Sequence, residues 1–128
     1  MHGQHMTETV LILGASIHPH RYAHKAQVAL ISNGHTPVLV NPNYDNIDGL
    51  RCYPDLQSCP DNIDTITLYV NPDILGPMVD SILQLHPGRV IFNPGTESRA
   101  IEEKLHSAGI RTQRACTLVL LSMGKFTD

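Results

Sequence analysis

The chain has 128 residues, room for one domain with a sizeable core and too few for two. Hydrophobic residues make up 41% and charged residues 16%, which excludes an intrinsically disordered chain. The formal net charge of −3 argues against bulk attraction to nucleic acid or membrane, and no apolar run approaches the ~20 residues of a membrane span.

The start lacks a secretory pattern, and Met1-His2-Gly3-Gln4-His5-Met6 reads as an expression-vector remnant. Residues 7–128 are then the folded domain. Cys52, Cys59 and Cys116 are odd in number and form no C-x-x-C pair, which fits a reducing cytoplasm better than a disulfide framework. The first strand is expected at 9–13, apolar on both faces as a central parallel strand should be. Gly14-Ala15-Ser16 follows, then a helix over 20–32 with Tyr22, Ala26, Ala29 and Leu30 inward and Asn33-Gly34 as its stop. A second strand over 37–40 ends at Asn41-Pro42-Asn43, and a loop with Gly49 and Tyr53-Pro54 leads to a third strand over 65–70.

Asn71-Pro72-Asp73 supplies a cap and an early Pro for a second helix, whose Leu75, Met78, Val79, Ile82 and Leu83 keep helical spacing. Pro77 makes the first turns of that helix irregular or delays its start to Gly76. A fourth strand at 89–92 ends in Asn93-Pro94-Gly95-Thr96, and a third helix spans 97–108 up to Gly109. A fifth strand is expected at 110–113. The short apolar run 117–121 reads as a closing helix.

This alternation predicts a Rossmann-like, doubly wound α/β domain, with a mainly parallel sheet of about five strands. In such sheets ligands lie beyond the carboxyl ends of the strands. An apolar run that stops at Gly14-Ala15-Ser16 and enters a helix is suited to presenting N–H groups to a phosphate. Five of the eight residues 18–25 are His, Arg or Lys, and Arg21 and Lys25 stand where the helix dipole disfavours cations. A phosphorylated ligand removes that conflict. Asn-Pro recurs at three of the five strand ends; each instance is ordinary turn chemistry, while the set suggests a polar rim. The full G-x-G-x-x-G is missing, and Asn41 stands where nicotinamide enzymes place an acid, so a dinucleotide cofactor is disfavoured. His20 and His24 have metal-pair spacing but no third ligand beside them, so the cluster with His18 is assigned to ligand phosphate or to the surface. Cys116 is expected as a small buried hydrophobe and Glu97 as a first-turn helix acid.

At these residues the sequence resembles a known family. Gly14-Ala15-Ser16, Val40-Asn41-Pro42-Asn43-Tyr44, Cys52-Tyr53-Pro54, Tyr69-Val70-Asn71-Pro72, Asn93-Pro94-Gly95-Thr96-Glu97 and Ala115-Cys116-Thr117-Leu118 are similar, in order, to the small CoA-binding domain proteins. Those proteins are similar to the N-terminal domain of the succinyl-CoA synthetase α subunit. The resemblance implies coenzyme A or an acyl-CoA across the strand ends. It puts Gly14, Ala15 and Ser16 at the pyrophosphate, with Asn41 and Pro42 on the adenosine side. Val70, Asn71 and Pro72 line the other wall, and Asn93, Pro94, Gly95 and Thr96 lie near the pantetheine exit. His18, Arg21, His24 and Lys25 join as phosphate partners.

The expected function is a cytoplasmic CoA-binding module with no catalysis of its own, no metal, no nucleic-acid or membrane partner, and sheet edges that leave room for a homodimer. A small NAD(P)-dependent oxidoreductase and a CoA-transferring subunit of a larger ligase complex are the alternatives.

Overall fold

A computed structural model describes residues 6–127, so that all but the last residue of the expected N-terminal remnant lies outside the described residues. The sheet has seven strands in the order β3-β4-β2-β1-β5-β6-β7. β1 (Thr9–Leu13) sits at its centre, parallel to β2 (Thr36–Val40) on one side and to β5 (Thr65–Leu68) on the other. β6 (Arg89–Phe92) and β7 (Arg111–Arg114) extend it in parallel beyond β5. The doubly wound α/β architecture is as the sequence predicts.

Two strands exceed the expected five. β3 (Asn46–Ile47) and β4 (Leu50–Tyr53) form a hairpin inside the predicted loop. Its turn is Asp48-Gly49, with φ of 54° and 82°, the left-handed pair that an Asp-Gly hairpin turn requires. β4 then joins the sheet parallel to β2. That Asp-Gly signal is present in the sequence, but the strands on either side are too short to show a period.

Side-chain alternation along the central strands builds two cores. Leu11 and Leu13 face one cluster with Ile66, Leu68, Val90 and Phe92, covered by α2 (Pro72–Leu75), α3 (Val79–Leu85) and α4 (Arg99–Ser107). Val10 and Ile12 face the other, covered by α1 (Tyr22–Ser32) and α5 (Thr117–Ser122). The expected second helix is two helices joined by the 3₁₀ turn Gly76–Met78. Pro77 supplies no N–H for a continuous helical ladder at that point. α1 starts at Tyr22 rather than near His20, and Tyr22 is 67% exposed instead of inward. Its buried face is Ala23, His24, Ala26, Gln27 and Leu30. No helix of the described residues is long and apolar enough to cross a membrane.

Candidate functional site

Where β1 ends, Gly14 adopts φ of 95°, and a Cβ placed there would stand 2.9 Å from the Tyr69 carbonyl oxygen and 3.0 Å from Val70 Cγ1. Glycine is required here for both backbone conformation and close approach. The Gly14 and Ala15 N–H groups both donate to the Val40 carbonyl, at 3.0 and 3.1 Å. These two donors therefore bind the end of β1 to the end of β2, which corrects the expectation that they face a phosphate. The Ser16 hydroxyl accepts from His18 N–H at 3.1 Å, which shapes the turn into the helix.

α1 is capped differently from α2 and α4. Unlike α5, whose first N–H, that of Thr117, is taken up by Asn93 Oδ1 at 2.9 Å, it borrows no side-chain acceptor from elsewhere among the described residues. Asn71 caps α2 by accepting from Ile74 N–H at 3.0 Å, and Ser98 caps α4 by accepting from Ile101 N–H at 3.3 Å. Arg21, the N-cap of α1, gives no side-chain acceptor, and the first turn holds no acid. The positive end of an 11-residue helix is thus left uncompensated. Ser16, His18, Arg21, Tyr22 and Ala23 line a cavity of about 390 Å³ at that end. Among the described residues Arg21 makes no ion pair.

Two further cavities adjoin it. One, of about 300 Å³, shares Gly14 and Asn41 and is walled by Pro42, Pro54, Leu56, Val70, Ile74 and Met78. The other, of about 380 Å³, shares Tyr22 and Tyr69 and runs to Pro94, Cys116, Leu118 and Val119. The carboxyl edge of the sheet therefore carries a groove of three adjoining cavities: apolar, then cationic, then apolar. Tyr69 divides the last two sections. Burial pushes its phenol upward from the ordinary value, an effect partly offset by hydrogen bonds to Thr67 and Thr117.

Of the sequence-predicted site residues, Gly14, Ala15, Ser16, His18, Arg21, Asn41, Pro42, Val70, Asn93 and Pro94 line this groove. Lys25, His24, Asn71, Pro72, Gly95 and Thr96 do not. His24 is buried, and its Nε2 meets Asp48 Oδ2 at 2.6 Å, tying α1 to the β3–β4 turn. Lys25 lies with Nζ 5.4 Å from the Tyr22 ring centroid. Thr96 is buried and donates to the Asn93 carbonyl at 2.7 Å, while the Gly95 N–H donates to Glu97 Oε1 at 2.9 Å.

The Asn-Pro ends are also turned to internal use. Asn41 donates to the Ala15 carbonyl and accepts from Asn43 N–H, both at 2.8 Å. Asn93, only 4% exposed, donates to Thr67 Oγ1 and the Leu68 carbonyl and accepts from Thr117 N–H. Buried amides demand partners, and the fold supplies them. Cys116 corrects the opposite way: it is half-buried at the groove rather than in the core. Tyr22, Tyr44, Pro54, Leu56 and Tyr69 were not legible as site residues, because aromatic and apolar residues beside the end of a strand or helix look like core.

Comparison with known proteins bears on this groove. A family model described as a CoA binding domain matches residues 8–122. One solved structure, described as an uncharacterized protein, is 40% identical, covers 94% of this chain and 99% of its own, and has a TM-score of 0.88. A conserved hypothetical protein from Pyrococcus furiosus is 31% identical over 85% of this chain and 93% of its own, with a TM-score of 0.76. An acetyl-coenzyme A synthetase 1 of Ca. Korarchaeum cryptofilum, solved with phosphate and ADP, is 25% identical with a TM-score of 0.68. That match covers 82% of this chain and 25% of the synthetase. None of the curated proteins compared with the chain matches it significantly.

Proposed function

The chain belongs to the CoA-binding-domain family, and on that premise we propose that its strand-end groove binds coenzyme A. The observation that carries the reading is the uncapped N-terminus of α1 beside Arg21, set between two apolar cavities. Coenzyme A presents its parts in a matching order: the adenine base on a 3′-phosphorylated ribose, the pyrophosphate, and the pantetheine arm. The nucleoside is assigned to the cavity between Pro42 and Ile74. The pyrophosphate is assigned to the turn from Ser16 to Arg21, where helix N–H groups and a guanidinium combine. The pantetheine arm then passes Tyr22 and Tyr69 towards Cys116.

Nicotinamide cofactors fit less well. The end of β2 offers no carboxylate to a ribose, Asp55 in the nucleoside cavity has an oxygen engaged by Ser58 N–H at 2.9 Å, and the Asn41 amide is already engaged with Ala15 and Asn43. We assign the domain binding and no chemistry of its own, since among the described residues no histidine or acid lines the cavity that holds Cys116. Thermal unfolding in the presence of CoA, NAD, NADP and ATP tests this reading. CoA is expected to raise Tm most, with about 2.7 kcal/mol of stabilisation at a hundredfold excess over Kd. A larger rise with NAD and none with CoA overturns it.

A further inference from the structure

The third section of the groove differs from the other two in having its polar groups spent. Asn93 at its floor uses its amide nitrogen on Thr67 Oγ1 and the Leu68 carbonyl, and its amide oxygen on Thr117 N–H. The Thr67 and Thr117 hydroxyls are hydrogen-bonded to each other at 2.8 Å. What remains facing the space is the surface of Tyr22, Tyr69, Pro94, Leu118 and Val119, with the Cys116 thiol. At its rim Tyr22 is 67% and Val119 49% exposed, apolar side chains left in water beside a cavity they help to form. Apolar surface gathered around a concavity marks a place for apolar ligand.

We infer that this cavity is an acyl subsite, and that the preferred ligand is a CoA thioester with a short apolar acyl chain. The inference rests on the coenzyme A reading above and narrows it. The volume of about 380 Å³ lies near the small end of ligand sites, and the tip of the pantetheine arm takes part of it. A few carbons fill the rest. Among the described residues no Arg, Lys or His lines the cavity, so an acyl chain ending in a carboxylate loses water there and gains no partner.

Calorimetric titration with CoA, butyryl-CoA and succinyl-CoA, in reductant so that the Cys116 and CoA thiols stay free, tests the assignment. Butyryl-CoA is expected to bind on the order of tenfold tighter than CoA, the gain from burying two methylenes or so. Succinyl-CoA is expected to bind no tighter than CoA. In Val119→Asp the butyryl-CoA to CoA preference falls to about one, and in Val119→Ser it falls part of the way. Both substitutions are at a half-exposed position in the first turn of α5, where an acid suits the helix dipole. Equal affinity for CoA and butyryl-CoA, tighter binding of succinyl-CoA, or a preference untouched in Val119→Asp each overturns the acyl subsite while leaving coenzyme A binding standing. Saturable binding by none of the three overturns both.

Discussion

At the ends of β2, β5 and β6, Asn41, Asn71 and Asn93 turn their side chains back into the protein, whereas the turn after β1 leaves a helix end uncapped with Arg21 on the groove. All four are polar turns on one edge of one sheet. The difference lies in where the hydrogen bonds go. A side chain that satisfies its own backbone fixes the shape of the groove and has little left for a ligand. A helix end that nothing satisfies has its affinity still to give. Recurrence of Asn-Pro in the sequence is therefore a sign of how the edge is built, and the missing cap is the feature on which the proposed phosphate site rests.

The largest loss of stability is expected at Asn93. Asn93→Ala leaves the Leu68 carbonyl and the Thr117 N–H buried without their partner, and is expected to cost about 3 kcal/mol in urea unfolding. A loss under about 1 kcal/mol means that Asn93 is not a structural group. Gly14→Ala comes next. A side chain at φ of 95°, pressed against the Tyr69 carbonyl, is expected to cost about 2 kcal/mol and to weaken CoA binding by displacing the turn. A variant as stable as wild type removes the argument for close approach.

The smallest effect is expected at the buried phenol of Tyr69. Burial raises the Tyr69 phenol above its ordinary value of 10.0, so the folded chain holds that proton longer than the unfolded chain. Its contribution to stability is full below about pH 10 and is lost as pH rises through the folded value. Burial also pushes the Cys59 thiol from 9.0 up to about 11, a loss of the same sign that begins near pH 9. Unfolding midpoints should therefore fall with rising pH in a Cys59→Ala background, and fall less steeply once Tyr69→Phe is added. Identical slopes in the two proteins count against a buried phenol at Tyr69.

Much of the fold was legible because the central strands are short apolar runs, bounded by Gly and Asn-Pro, that alternate with helical spacing. What was hidden is local. The β3–β4 hairpin is too short for a period, and Tyr22 has the spacing of a core residue while lying at the open end of its helix. The cationic cluster was visible as composition, but not its division. Arg21 and His18 reach the groove, while His24 is held by Asp48 and Lys25 lies beside Tyr22. Four residues along a helix is a full turn, and spacing alone does not say which end of the turn a ligand touches.

That division offers the most direct test of the account, by calorimetric titration of CoA into Arg21→Ala and Lys25→Ala beside the wild-type protein. The account predicts that Arg21→Ala weakens CoA on the order of thirtyfold, the loss of one charge-assisted contact, with unfolding unchanged within about 0.5 kcal/mol. Lys25→Ala is predicted to weaken it less than about threefold, as expected of a screened surface charge. Unchanged affinity in Arg21→Ala, or a larger loss in Lys25→Ala, contradicts the claim that the open end of α1 is where the phosphates bind.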